Sequence, residues 1–369
     1  MDWSMRLEDL DTPVAVVNLD KLEFNIREMA ARMREAGVCL RPHVKTHKTP
    51  VIAHIQLREG AVGITVAKVG EAEVMASAGV EDIFVAYPVW GEAKWERLRR
   101  LSHRVCLRVG VDSEVLAEGL SQVFAQHGEK IAVLIKVDTG LGRTGVSPGR
   151  PALELAREVA RLPGLELKGI FTHEGHIIRD FGSVGEIDGP VRDVARKMRE
   201  TAELLRREGI EVEEVSVGAT PTAHLMCREE GVTEERPGTY VFYDATNVGF
   251  GVVPEDRVAF SVWCTVVSVP RPDRAVIDGG TKAFSSARSP KVEGMGLVRG
   301  MEGARFAWAN EEHGVLDLSS CPGALRVGDR VEVVPVHVCE AVNLWDELVA
   351  VQGGEVEAIW PVLARGKVW

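Results

Sequence analysis

The sequence predicts an α/β protein: a (β/α)8 TIM barrel with a second, mostly β C-terminal domain. Three observations predict it. Eight short β-rich runs recur over about 200 residues, most of them separated by amphipathic helical stretches. Helical periodicity then stops near Phe250, and β-rich runs punctuated by Gly and Pro take over. The chain has 369 residues, more than one typical domain needs.

The elements follow in order. Val14–Leu19 is β-rich and comes after the turn-like Asp11-Thr12-Pro13. Lys21–Ala36 reads as an amphipathic helix, with Leu22, Phe24, Ile26, Met29, Ala30 and Met33 mostly on one face and Asp20 as its N-cap. The barrel strands are predicted at Cys39–Val44, Val62–Ala67, Asp82–Ala86, Val105–Val109, Ala132–Val137, Leu167–Thr172, Val212–Val217 and Arg236–Val241. Helices are predicted at Val69–Ala78, Ser113–His127, Pro151–Arg161 and Val191–Glu208, and a long loop, Glu174–Gly189, delays the helix after the sixth strand. Spacing alone would also allow a doubly wound sheet. The barrel is assigned residues 21–249. Beyond it, Ala259–Val269, Ala275–Asp278, Gly314–Leu318, Asp329–Pro335, Glu347–Gln352 and Glu355–Pro361 are the β-rich runs of the second domain, residues 250–369.

Composition limits the function. The net charge of -11 disfavours nucleic acid and anionic membranes, which both call for a basic surface. No apolar run approaches the ~18–20 residues of a membrane span, and Met1–Leu10 is too polar for a signal peptide. The six cysteines are scattered with no CxxC pair, as expected of free thiols in a reducing compartment. A cytoplasmic protein without nucleic-acid or membrane partners is expected.

In such barrels, active sites gather at the C-terminal ends of the strands. The first strand ends in Arg41-Pro42-His43-Val44-Lys45-Thr46-His47-Lys48. On an extended segment His43, Lys45 and His47 would project together. This suits a Schiff-base lysine between two imidazoles; it would equally suit a basic surface loop. The fifth strand ends in Lys136-Val137-Asp138-Thr139-Gly140-Leu141-Gly142-Arg143, a compact loop that carries Arg143 over the mouth, and the sixth ends in Thr172-His173-Glu174-Gly175-His176. The seventh ends in Ser216-Val217-Gly218-Ala219-Thr220-Pro221-Thr222 before a short helix, Ala223–Glu229, and the eighth carries Arg236-Pro237-Gly238-Thr239-Tyr240. Hydroxyls, free amides and a helix N-terminus make an anion cradle. Loops after strands 7 and 8 commonly hold phosphate. A lysine on strand 1 beside such a cradle suits a phosphate-bearing aldehyde cofactor.

The set Pro42-His43-Val44-Lys45-Thr46-His47-Lys48, Lys136-Val137-Asp138-Thr139-Gly140-x-x-Arg143, Thr172-His173, Ser216-Val217-Gly218-x-Thr220-Pro221-Thr222, Arg236-Pro237-Gly238 and His337-x-Cys339 resembles the D-threonine aldolase and D-serine dehydratase family. That family belongs with alanine racemase among the fold type III pyridoxal-phosphate enzymes. The resemblance runs from about Asp11 to about Val351. It implies pyridoxal 5'-phosphate as cofactor and places residues 1–20 with the β domain. It also implies Lys45 as the Schiff-base lysine, Arg143 near the cofactor's phenolic oxygen and His173 stacked on its pyridine ring. Gly218, Ala219, Thr220, Gly238 and Thr239, with Tyr240, match the phosphate-binding positions. A homodimer acting on a small amino acid is implied too.

His337 and Cys339 lie at the end of an apolar run; at i and i+2 of a strand they would face the same side, and imidazole plus thiolate suits Zn²⁺, though by itself the spacing fits two unrelated strand residues better. In the family this is a divalent-metal site. D-serine dehydratases resemble this chain in having His-x-Cys with zinc, whereas D-threonine aldolases carry His-x-Asp and favour manganese-like ions. The expected reaction is retro-aldol cleavage of D-β-hydroxy-α-amino acids to glycine and an aldehyde, with His47 or His176 as base. The stretches Ala61–Ala67 and Asp82–Trp90 look closer to D-threonine aldolases. Cys339 favours the alternative, a zinc-dependent D-serine dehydratase. Ile177 and Ile178 stand where the family has an aromatic residue, and Ala287 where it has aspartate, so these positions leave the substrate open. A racemase would have no need of the His337–Cys339 pair. A non-catalytic pyridoxal-phosphate carrier would lack the β domain.

Overall fold

The computed structural model describes residues 5–369. The chain forms two compact units, one of residues 28–45, 52–238 and 366–369, the other of residues up to Arg27, Thr46–Val51 and Thr239–Arg365. Strand β1 (Val14–Asn18) belongs to the second unit.

The first unit is a parallel barrel. Its strands are β2 (Cys39–Leu40), β3 (Ile64–Val66), β4 (Asp82–Val85), β5 (Cys106–Val111), β6 (Ile131–Lys136), β7 (Leu165–Phe171), β8 (Glu214–Val217) and β9 (Glu234–Glu235). They pair in the order β2-β9-β8-β7-β6-β5-β4-β3. The two ends of that sheet meet: His43 bridges Thr65, Val62 N donates to Leu40 O at 2.9 Å, and Thr65 N donates to Pro42 O at 2.8 Å. Helices follow the strands, among them Val69–Ser77, Glu92–Ser102, Glu114–Ala125, Arg150–Arg161 and Asp188–Arg207. Each buries an apolar face, as their 3.6-residue periodicity requires.

The barrel interior has an apolar and an ionic part. Phe84, Leu134 and Phe171 form a buried cluster, and the two rings meet edge to face with centroids 5.0 Å apart. Gly110 on β5 makes room for them, since a Cβ there would lie 2.6 Å from Phe171 Cζ. The ionic part links strands β4, β5, β8 and β9 with Arg41 and Arg236, which follow β2 and β9. Arg41 pairs with Glu234 at 2.6 Å and with Asp82, and Arg108 pairs with Asp82 at 2.8 Å and Glu214 at 2.7 Å. Ser216 Oγ donates to Glu234 at 2.7 Å and accepts from Arg236 Nε at 2.7 Å. Buried charges survive only with such partners.

The second unit is a nine-stranded sheet of β1, β10 (Phe260–Arg271), β11 (Arg274–Ile277), β12 (Gly296–Val298), β13 (Arg305–Ala309), β14 (Gly314–Asp317), β15 (Arg330–Pro335), β16 (Glu347–Gln352) and β17 (Glu355–Pro361). β11 also pairs with β10, so β10 to β15 curl into a small barrel. The pairs are antiparallel except β1–β16. No helix among the described residues is long and apolar enough to cross a membrane.

Several expectations change. The first helix starts at Leu19, and Asn18 caps it by accepting from Lys21 N at 3.0 Å; Asp20 instead receives Gln352 Nε2 at 2.5 Å. The units change over at Arg27/Glu28 and Gly238/Thr239, against the expected 20/21 and 249/250. Asn25 shows why the helix start goes with the second unit: its side chain donates to Val241 O and to Arg257 O at 3.0 Å. The eighth barrel strand is Glu234–Glu235, and Thr239–Val241 is a 3-10 helix. β12 and β13 were not expected. The stretch expected as a loop holds the helices His176–Asp180 and Val184–Glu186.

Candidate active site

Lys45 lies in the barrel unit, at the end of the short β2 run. The expected extended geometry is not observed: β2 ends at Leu40, and Val44–Thr46 is a 3-10 helix. The prolines Pro42 and Pro50 and the His43–Thr65 bridge hold the segment. His43 and Lys45 are half-buried and His47 is fully buried. Lys45 makes no hydrogen bond or ion pair with any described residue. His43 Nδ1 is buried without a partner.

Positive charge is concentrated around Lys45. Burial first, then Lys45 and Arg236, push His43 well below the usual imidazole range. Burial and Lys45 take His173 down to about 3, against the bond it makes to Gly218, and Arg143 adds to the fall. Burial, Arg236 and Arg143 lower Lys136 to about 8. Both imidazoles are therefore neutral at physiological pH. Like charges gathered this closely favour an anion.

The loops at the strand ends are built locally. Asp138 accepts from Gly140 N at 3.0 Å and Gly142 N at 2.9 Å, which folds the loop that carries the exposed Arg143. His176 opens its short helix and packs on that loop, its Nε2 only 3.0 Å from where a Cβ on Gly140 would sit. Burial lowers the His176 pKa, and its Nδ1 is buried without a partner. His47 Nδ1 accepts from Thr49 N at 3.3 Å. His173 Nδ1 donates to Gly218 O at 2.6 Å, which fixes its ring.

The Gly218–Thr222 turn hangs on Glu174, a residue the sequence reading passed over. Its carboxylate accepts from Gly218 N at 3.2 Å and from Thr222 Oγ1 at 2.7 Å. The Gly218 amide is thus engaged. The Ala219 and Gly238 amides have no acceptor among the described residues. Two free N–H groups on neighbouring strand ends, under a cationic cluster, fit a phosphate. The donor set therefore fits pyridoxal phosphate. Thr239 and Tyr240 belong to the second unit, where Tyr240 is fully buried.

The second unit carries His337 and Cys339. They do not sit on a strand: β15 ends at Pro335, and His337 caps the helix Val338–Val342. Cys339 Sγ donates to Thr46 Oγ1 at 3.3 Å, and Thr46 follows Lys45 in the chain. His337 Nδ1 is 3.2 Å from Asp244 Oδ2. Burial opposes the imidazolium, but the Cys339 thiol and Asp244 outweigh it and hold His337 well above its usual value. No group of three or more His, Cys, Asp or Glu among the described residues could hold a metal. A His–Cys pair with Nδ1 anchored still fits a zinc-like ion bound by two protein ligands.

The sequence profile of the alanine racemase N-terminal domain matches residues 17–246, and that of a putative serine dehydratase domain matches residues 259–351. A D-threonine aldolase of an Arthrobacter species is 36% identical over 98% of this chain and 94% of its own. The chain belongs to the D-threonine aldolase and D-serine dehydratase family of fold type III pyridoxal-phosphate enzymes. It is accordingly a pyridoxal-phosphate-dependent lyase. A solved D-threonine aldolase from Filomicrobium marinum superposes with a TM-score of 0.92 at 34% identity, covering 99% of each chain. A D-threo-3-hydroxyaspartate dehydratase from a Delftia species is 36% identical over 89% of this chain and 91% of its own. A D-threo-3-hydroxyaspartate dehydratase variant with one cysteine replaced by alanine has been solved in the metal-free form, and it superposes with a TM-score of 0.89 at 33% identity.

Proposed function

We propose that this family member is a pyridoxal-phosphate- and divalent-metal-dependent D-threonine aldolase, cleaving D-β-hydroxy-α-amino acids to glycine and an aldehyde. The observation that carries the reading is the pairing, in one chain, of a lysine set among clustered cations with a His–Cys pair backed by a carboxylate. Similarity to D-threonine aldolases over nearly the full chain supports the aldol direction.

In this reading Lys45 holds the cofactor through its amine. The Ala219 and Gly238 amides, with Thr220, would hold the phosphate end. Arg143 would meet the phenolic oxygen, and the neutral His173, its Nδ1 committed to Gly218, would lie against the ring. His337 and Cys339 would hold a zinc or manganese ion that could also take the substrate hydroxyl. When bound, pyridoxal phosphate supplies an electron sink for the cleaved Cα–Cβ pair, and the cation acidifies the hydroxyl. His47 or His176 is our candidate to take the hydroxyl proton. Replacing the one that does so should lower kcat by about 10²–10⁴-fold. A homodimer acting on a small amino acid completes the proposal.

Cys339 favours a second reading, dehydration of D-serine or a related hydroxy amino acid. Similarity to a D-threo-3-hydroxyaspartate dehydratase, solved metal-free as a cysteine variant, supports it. One experiment separates the two: the cofactor-loaded protein is incubated with D-threonine, with and without Mn²⁺ or Zn²⁺, and acetaldehyde, glycine and 2-oxobutyrate are assayed together. Metal-dependent glycine and acetaldehyde establish the aldolase. 2-Oxobutyrate with ammonia establishes the dehydratase, and neither product would sink both.

A further inference from the structure

Asp244 is nearly fully buried, and each oxygen of its carboxylate is engaged. Oδ1 accepts from Asn247 N at 2.9 Å and caps the helix Ala245–Phe250. Oδ2 accepts from Val338 N at 3.1 Å and lies 3.2 Å from His337 Nδ1. Thr246 Oγ1 donates to Val336 O at 2.7 Å and ties the same two segments together. A helix cap alone needs one oxygen and no contact with His337. The second oxygen meets the imidazole on the nitrogen that would otherwise compete as a ligand.

We propose that Asp244 is the positioning residue of the metal pair: it binds the Nδ1 proton of His337 and thereby leaves Nε2 to join Cys339 in holding a zinc-like cation. The inference rests on the proposed metal reading. Its physical basis is the tautomer. A ligating imidazole must offer a lone pair, and a carboxylate on one ring nitrogen places the lone pair on the other. A neutral amide cannot serve both sides of Asp244, because its single oxygen must choose between Asn247 and the Val338–His337 side. A serine can still cap the helix but is too short to reach His337.

The test uses the full-length protein, with Zn²⁺ and Co²⁺ as probes. Wild type should bind Co²⁺ with a thiolate charge-transfer band, and Cys339→Ala should abolish that band. Asp244→Asn and Asp244→Ser should weaken Zn²⁺ binding by about 10–100-fold and dim the band, while the far-ultraviolet circular dichroism stays unchanged. In ¹⁵N-edited spectra of the zinc-loaded wild type, His337 should show a protonated Nδ1 and a coordinated Nε2. Undiminished Zn²⁺ affinity in both variants overturns the role of Asp244 and leaves the metal reading standing. A coordinated Nδ1 in wild type overturns it even if neither variant folds. Wild type without any cobalt–thiolate band removes the metal reading, and the inference with it.

Discussion

Lys136 shows what burial does to a single charge. It is 5% exposed, and burial with Arg236 and Arg143 nearby lowers it from 10.5 to about 8. Between those values the unfolded chain binds a proton that the folded chain has lost. Stability should therefore rise as pH goes from about 8 to about 10. Urea unfolding of cofactor-free wild type and Lys136→Met isolates the effect. The variant should be more stable at pH 7, by on the order of 3 kcal/mol, and the gap should close towards pH 10. A gap that stays constant across this range would contradict the assignment. Lys45 is tested more directly. Lys45→Ala should lose the visible absorbance that appears when pyridoxal phosphate is added to wild type.

At the scale of elements, the strand-end turns decide the site. Gly218 lies where a Cβ would come within 2.6 Å of the Arg236 backbone nitrogen. Gly218→Ala should push β8 from β9, cost about 1–3 kcal/mol and weaken cofactor binding, as read by thermal unfolding and fluorescence titration. Some of this was legible in the sequence. The order of motifs along the strand ends was read correctly, because turn residues and amphipathic helices are local signals. The backbone at Lys45 was not, because a two-residue strand followed by a 3-10 turn depends on pairing with Glu234 and Glu235. β12 and β13 were missed for a similar reason. Both are short, three and five residues, and sit in a Gly-rich, charged stretch, so they become strands only by pairing with β15 and β14.

For the whole molecule, cofactor and metal should come off separately, since Lys45 and the His337–Cys339 pair are different donor sets. A chelator should abolish activity and leave the cofactor's absorbance in place, and Zn²⁺ or Mn²⁺ should restore turnover. Simultaneous loss of both signals would contradict this division. Light scattering should give about twice 40.3 kDa for the proposed homodimer.

The sequence by itself determined the barrel, the β domain and the family, because alternating periodicities and six ordered motifs are properties of short stretches. The tertiary structure alone decided which groups back the functional side chains. Asp244 meets His337 across 93 residues, and Glu174 holds Gly218 across 44. A buried carboxylate finds its donor through packing, and a lone aspartate before a short helix reads in sequence only as a cap.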